Sequence, residues 1–421
     1  MVINKYKQIV ADQQFEIHNL DLSLLCSRRE EVSFELQSPL IQVVTGARRC
    51  GKSTICHKVL LQEGISYAYV NFDDERLTNI KTENFDILLE ALYMVYGDFK
   101  YLFFDEIQNI KNWNLFVNRL FRQKIHIILT GSNAKLLSSE LSTYLTGRYN
   151  QIELYPFSFS EYLQLRGINN NNATTKDIAF NKNAFEEYMQ KGGFPELVNI
   201  KNYKGYMQHL VSNIITVDIK QRFKIRYIDA LTKIADFIIA NFAKEINYKY
   251  LSGLFGLGSD HTSENYVNYL KQAYLIVGLN KFSYKAKERI RAEKLYLIDP
   301  ALFTSQDSNP SGENTGYLLE NIVYLELLRR KRTNNTNIFY YKNSYEIDFV
   351  ICKKQKVIEL IQVSENIDTE KTYKREVTAL LKASDVLRCD NLTLVTMRQS
   401  QHHNLNNKQI DEISIVDWLC Y

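Results

Sequence analysis

Between residues 39 and 157, apolar residues gather in short runs separated by stretches of helical spacing. The runs read "IQVVTG" (41–46), "SYAYVNFDD" (66–74), "KYLFFDEI" (100–107), "HIILTGSN" (126–133) and "QIELYPF" (151–157). A strand with one wet face alternates apolar and polar side chains. These runs are apolar at consecutive positions, so both faces are predicted to be covered. That is the pattern of a parallel sheet sandwiched by helices, whose ligands bind beyond the carboxyl ends of the strands.

Residues 177–225 predict helices around a turn, "KGGFPEL" (191–197). From about 226 the order changes to a helix over 229–242, a short helix over 248–254 and a glycine turn, "GLGSD". The next helix, "SENYVNYLKQAYLI", has Thr262 as its expected cap, and two β-like runs follow at 275–282 and 293–299. A seam rich in turn formers, "SQDSNPSGENTG" (305–316), marks a boundary, and "GINNNNATT" (167–175) reads as a solvated loop. Beyond the seam come a helix, "TGYLLENIVYLELLRR", and the strand-like stretches "NIFYYKNSYEIDFVI" and "QKVIELIQVSEN".

The first candidate chemistry lies directly after the first run. "TGARRCGKST" fits G-x-x-x-x-G-K-[ST] through Gly46, Gly51, Lys52 and Ser53, between a predicted strand and a predicted helix. Glycines at those points let backbone N–H groups turn inward around phosphates. Lys52 brings a point charge to the outer phosphates, Ser53 a hydroxyl to Mg²⁺, and the helix start a favourable dipole. The loop assigned to the nucleotide is Gly46, Ala47, Arg48, Arg49, Cys50, Gly51, Lys52, Ser53 and Thr54. "YLFFDEI" then ends a strand on two acids: Asp105 is expected to hold Mg²⁺ and Glu106 to polarise the attacking water. Asn133, at the end of "TGSN", either positions that water or is an ordinary turn residue.

As a set, "GARRCGKST", "FFDE", "LTGSN", "LTGRYNQIELYPFSFSEYL" and "GGFPEL" resemble the bacterial and archaeal AAA-type ATPases that carry a C-terminal domain of unknown function. The resemblance spans roughly residues 20 to 421. It implies a helical lid packed on the nucleotide edge, and an arginine before the fifth strand, here Arg148. That arginine either neutralises the transferring phosphoryl, as a finger or sensor, or pairs structurally with Asp105 or Glu106. Arg48 and Arg49 also match the family; solvated or interface charge is the role expected of them, and Cys50 is read as filler at a tolerant position.

The helices and β-ribbon over 226–310 resemble a winged helix-turn-helix. Its ribbon joint, "KFSYKAKERIRAEK", holds Lys281, Lys285, Lys287, Arg289, Arg291 and Lys294 against Glu288 and Glu293. Such a joint is either a basic wing for phosphate backbone or an exposed hairpin with a solvated charge run. The helix before it offers Asn265, Asn268, Lys271 and Gln272, few cations for a groove reader. The C-terminal pattern resembles the restriction-endonuclease-like PD-(D/E)XK fold, with Asp348 as first metal carboxylate and Glu320 as helical acid. Where that fold places a second acid and a lysine, this chain has Gln362 and Ser364, and Glu359 falls on the opposite strand face. With that charge missing, the domain is expected not to cut nucleic acid.

Composition adds bounds. A chain of 421 residues suggests two to four domains, and 45% apolar with 24% charged residues is the balance of a folded soluble protein. A net charge of +4 is too small to imply nucleic-acid binding by itself, so any basic surface must be local. Six scattered cysteines offer no metal-site spacing and fit a reducing compartment. No apolar run approaches the roughly 18 residues of a membrane span, so a cytoplasmic protein is expected.

The resulting reading is α/β: an N-terminal segment (1–38), a P-loop ATPase core (39–165), a helical lid (166–225), a winged-helix domain (226–310) and a nuclease-like domain (311–421). The expected activity is Mg²⁺-dependent hydrolysis of ATP to ADP and phosphate, driving a conformational switch. Two other readings stay open: a nucleotide-gated DNA-binding or regulatory module with little turnover, and an ATP-gated nuclease. Expected partners are ATP, DNA through the winged helix, an unidentified protein and a second copy of the chain. The choice between ATP and GTP is open.

Overall fold

The computed structural model describes residues 2–420 apart from 22–24, 133–144, 146, 171–173, 286–291, 307–313, 366, 368, 399 and 406–407, with backbone only at 221 and 332. The chain forms two compact units, Met1–Tyr155 and Pro156–Tyr421.

The first unit is built on five strands: β1 (Ile41–Gly46), β2 (Tyr67–Asn71), β3 (Tyr101–Asp105), β4 (His126–Gly131) and β5 (Tyr149–Leu154). All pair in parallel, in the order β2-β3-β4-β1-β5. The predicted runs therefore become strands, trimmed at the ends where polar residues leave the sheet. On one face, Val43, Val70, Phe104 and Leu129 share a core with α1 (Val2–His18), α3 (Phe85–Tyr96) and α4 (Trp113–Arg122). On the other, Phe103 and Tyr69 meet His57 of α2 (Lys52–Gln62).

The N-terminal segment belongs to this core instead of standing apart from it. Tyr6, Ile9, Val10 and Gln13 form one buried stripe of α1, spaced as an amphipathic helix requires. Burying Ile9 and Val10 contributes roughly 1.5–3 kcal/mol each. Gln13 then bonds both backbone groups of Asn71 at the end of edge strand β2, donating at 3.1 Å and accepting at 2.9 Å.

In the second unit, α5 (Phe159–Leu165), α6 (Thr175–Lys191) and α7 (Tyr203–Asn213) precede α8 (Ile228–Ala240), β6 (Lys244–Glu245), α9 (Tyr248–Leu254), α10 (Asp260–Gln272), β7 (Ile276–Asn280) and β8 (Glu293–Leu297). The short strands make an antiparallel sheet ordered β6-β8-β7. Ser259, not Thr262, caps α10: its Oγ accepts the Thr262 N–H at 3.3 Å. The expected lid helices pack within this second unit, on α11 (Ala301–Thr304), α12 (Thr315–Asn334) and α14 (Ile415–Cys420). The unit boundary accordingly falls after Tyr155, ahead of the expected domain end at 165.

The remainder is a six-stranded mixed sheet, β13-β14-β12-β11-β10-β9. Its strands are β9 (Asn337–Lys342), β10 (Glu346–Lys353), β11 (Lys356–Ser364), β12 (Leu392–Thr396), β13 (Gln401–Leu405) and β14 (Lys408–Ser414). The first three run antiparallel. The crossover helix α13 (Glu370–Leu387) then returns the chain so that β12 lies parallel to β11.

Candidate functional site

The parallel sheet puts Gly46, Asp105 and Gly131 at the carboxyl ends of neighbouring strands. There the chain leaves β1 through a loop and enters α2 at Lys52. Gly46 and Gly51 take φ of +153° and +92°, backbone that side chains resist. At Gly46 space also forbids one, since a Cβ would lie 2.0 Å from the Leu154 carbonyl oxygen. Arg49 holds φ +67° within the loop, the left-handed backbone that helps curl N–H groups toward a common point. The Lys52 ammonium donates to the Ala47 carbonyl at 3.0 Å and stands 3.8 Å from Glu106 Oε1.

Opposite the loop, Asp105 is buried and multiply held. Tyr69 OH donates to Oδ2 at 3.2 Å, and the Thr130 and Ser53 hydroxyls also hydrogen-bond the carboxylate. Burial and then the charge of Glu106 push this carboxyl above its usual range. The hydroxyls and Lys52 work in the other direction. Glu106 sits in left-handed backbone at φ +50°, its N–H donates to Thr130 Oγ1 at 2.9 Å, and its carboxylate takes the Gln108 amide. Thr130 therefore fixes both acids at once. Neither it, Tyr69 nor Gln108 carried a motif signal; Thr130 could be anticipated only as the residue closing an apolar strand beside β3.

Ser53, Asp105, Lys52 and Glu106 are thus brought together, and Ser53 with Asp105 forms a hydroxyl–carboxylate pair of the type that suits Mg²⁺. Thr54 follows Ser53 in the first turn of α2. Ala47 is buried, Arg49 is exposed and Arg48 is half-buried. Cys50 is not at a tolerant position. It is fully buried, its thiol meets Leu154 O at 3.5 Å, and its own carbonyl accepts Arg28 Nη1 at 3.1 Å. Asn133 lies outside the described residues. Arg148 does not pair with Asp105 or Glu106. It immediately precedes β5, whose start is in register with Ile41 at the amino end of β1, a strand length from the loop. Its guanidinium faces the Phe121 ring at 5.6 Å.

In the second unit, Glu320 of α12 and Asp348 of β10 meet in a cleft of about 950 Å³, joined by Gln362 of β11. Gln362 bridges two groups: its Oε1 accepts the Asp348 N–H at 3.3 Å and its Nε2 donates to Glu376 of α13 at 2.8 Å. Glu359 turns instead to the Thr393 hydroxyl, as strand alternation requires. The cation of the cleft comes from β8. Lys294, assigned to a basic wing, is 3% exposed and lies 2.9 Å from Glu320 and 2.6 Å from Glu346. Burial and then Glu320 push the Asp348 carboxyl well up, against the pull of Lys294. Among the described residues, no group of three His, Cys, Asp or Glu side chains is placed to hold a metal ion.

The base of the ribbon is likewise an internal surface. Phe282 is buried in the C-terminal core, its N–H donating to Tyr340 O at 2.6 Å. Lys271 bonds Glu293 at 2.5 Å. Tyr284 and Lys285 remain exposed. Lys287, Glu288, Arg289 and Arg291 lie outside the described residues.

Comparison with known proteins follows this architecture. An AAA domain profile matches residues 38–163, and two profiles of domains of unknown function, DUF8612 and DUF4143, match 182–311 and 315–415. An uncharacterized protein of Methanocaldococcus jannaschii is 36% identical over 376 residues, covering 86% of this chain and 83% of its own. A second uncharacterized protein, from Haemophilus influenzae, is 28% identical over 393 residues, covering 90% and 94%. Among solved structures, the Thermotoga maritima RuvB Holliday junction branch migration motor covers 63% of this chain and 89% of its own at 18% identity and a TM-score of 0.29. The replication initiator DnaA bound to AMPPCP and single-stranded DNA covers 59% and 91% at 13% identity and a TM-score of 0.29. Likeness at that level carries no argument about action. No helix among the described residues is long and apolar enough to cross a membrane. The profiles and the long relative agree with the phosphate loop and acidic strand end: the chain belongs to the AAA-type P-loop ATPases that carry C-terminal domains of unknown function.

Proposed function

We propose that the first unit binds ATP with Mg²⁺ and hydrolyses it, and that turnover switches the conformation of the second unit. The observation that carries this is the convergence of Lys52, Ser53, Asp105 and Glu106 at one end of the sheet. Backbone N–H groups of residues 46–53 and the start of α2 would cradle the phosphates, and Lys52 would move from loop carbonyls to the outer phosphates. Ser53 and Asp105 would hold Mg²⁺, which supplies charge to the β- and γ-phosphates. Glu106, oriented through Thr130, would take the proton of the attacking water, and Asn133 would help place it.

Arg148, remote from its own loop and exposed, suits a finger offered to the nucleotide of a second copy, worth on the order of 10³ in rate. A second reading, a nucleotide-gated DNA-binding module, draws support from the α8-β6-α9-α10-β7-β8 order, that of a winged helix-turn-helix, and from exposed Tyr284 and Lys285. Phosphate release and ATP titration separate the readings. Lys52→Ala should abolish binding, whereas Glu106→Gln should keep binding and lose turnover by about 10² or more. Arg148→Ala should be inactive alone yet regain turnover when mixed with Glu106→Gln. Parent-rate hydrolysis by Glu106→Gln would remove that residue from the mechanism. Binding without turnover in the parent would favour the gated module.

A further inference from the structure

We infer that Arg28, in the segment before β1, is a positioning residue that makes the phosphate loop and the exit of β5 move as one piece. It thereby passes nucleotide occupancy to the connector leading out of the first unit. The inference rests on ATP binding at the loop.

Arg28 is 7% exposed, and its two terminal nitrogens have different partners. Nη1 donates to Cys50 O inside the loop at 3.1 Å, and Nη2 donates to Tyr155 O, one residue beyond β5, at 2.6 Å. A planar guanidinium fixes both directions together, which a lysine cannot do. The segment carrying Arg28 is itself tied to α2. Its N–H donates to Glu31 Oε1 at 2.7 Å, and Lys58 of α2 donates to the same oxygen at 2.8 Å and to Cys26 O at 3.0 Å. Anchor, loop and loop helix are therefore one hydrogen-bonded frame.

The β5 exit is pressed against the loop as well. Gly46 lies so close to Leu154 O that no Cβ fits, and Cys50 Sγ meets that oxygen. In the second unit the chain is gripped again at once. Arg329 donates to Pro156 O at 2.8 Å, the Phe157 N–H to Gly193 O at 2.7 Å, and Tyr188 OH to Phe157 O at 2.8 Å. Four successive residues, 154–157, thus have carbonyls held by a named partner, and the Arg28 guanidinium bonds both loop and exit. Phosphate binding competes for Lys52, which now bonds Ala47 O and Gly46 O. A shift of those peptides reaches Leu154 by contact and Tyr155 through Arg28.

The test is hydrogen exchange on the full chain with a non-hydrolysable ATP analogue and Mg²⁺, alongside steady-state hydrolysis. In the parent, the loop (45–54) and the connector (154–160) should both change exchange on binding. In Arg28→Met the loop should still respond and the connector should not. The kcat should fall by about 10²-fold, the scale of a misplaced catalytic geometry, with KM changed far less. Arg28→Lys, which keeps the charge but cannot span both carbonyls, should fold and show a connector response reduced by at least half. It decides the matter if Arg28→Met does not fold. An undiminished connector response in Arg28→Met or Arg28→Lys overturns the inference. No response of the loop in the parent would instead refute ATP binding itself.

Discussion

Replacing Lys294 by Met tests whether the carboxylate cleft of the second unit is held by a tethered cation. The side chain is nearly isosteric, so the change removes charge and hydrogen bonds while keeping the stem's packing. Glu320 is 7% exposed and loses the ammonium that stands 2.9 Å from it; Glu346 is about a third exposed and is also served by Lys342 at 3.4 Å. Breaking a buried pair costs roughly 3–5 kcal/mol, and the solvent-screened Glu346 contact argues for the lower figure, about 3 kcal/mol. For a unit of this size, 1 kcal/mol moves the midpoint by about 2–4 °C, so a fall of about 6–12 °C is expected. Glu320→Gln in the same chain should restore part of it, because an amide oxygen still accepts the Tyr296 hydroxyl, at 2.6 Å in the parent, without a buried charge. The loss should also depend on pH. The Asp348 carboxyl is already raised by burial and then by Glu320, and removing Lys294, which pulls it the other way, raises it further. An acid with a raised folded pKa binds more protons folded than unfolded, so stability falls as pH climbs above the unfolded value of about 3.9. Calorimetry at pH 5 and pH 8 should therefore find the larger loss at pH 8. A variant as stable as the parent at pH 8, or strict additivity with Glu320→Gln, would refute the reasoning.

Two further outcomes are expected. Gly46→Ala should weaken nucleotide binding at least about tenfold in a calorimetric titration, because a Cβ 2.0 Å from Leu154 O forces the loop off its strand. Purified protein should leave supercoiled, linear and single-stranded DNA intact with Mg²⁺ or Mn²⁺, with or without ATP; cleavage that vanishes in Asp348→Ala would promote the nuclease reading.

Where burial dictates composition, the chain was readable. β1, β3 and β4 are apolar at successive positions because both faces are covered, and their ends coincide with the first residues that bear chemistry. The stripe of Tyr6, Ile9, Val10 and Gln13 was also present as periodicity, although a polar residue at its fourth position disguised it. Arg28 was not readable, because its partners are backbone carbonyls 22 and 127 residues away, and carbonyls have no letter in a sequence. Lys294 was misread for a related reason. In a run of lysines and arginines it looks like one more exposed cation, yet it shares a strand face with Tyr296, and both bond Glu320. Where Arg148 lies could not be read from its motif: a parallel sheet places the residue before a strand at the end opposite the strands' carboxyl ends, away from its own phosphate loop.

The two carboxylate clusters answer one electrostatic problem differently, and the difference bears on which unit works with a metal. Buried carboxylates need a cation or must take up a proton. Around Asp348 the need is met from within: Lys294 touches Glu320 and Glu346, and Gln362 spaces Asp348 from Glu376. A divalent ion entering there would have to displace a tethered ammonium, with a neutral amide as one of its ligands. Around Asp105 the nearest ammonium, Lys52, bonds loop carbonyls and stands 3.8 Å from Glu106, while hydroxyls of Ser53, Thr130 and Tyr69 surround the carboxylate. Hydroxyls orient an acid but do not neutralise it. Under the proposed function the Asp105 cluster would keep its charge for an exchangeable cation arriving with phosphates, whereas the Asp348 cluster has spent its charge on holding β8 to α12.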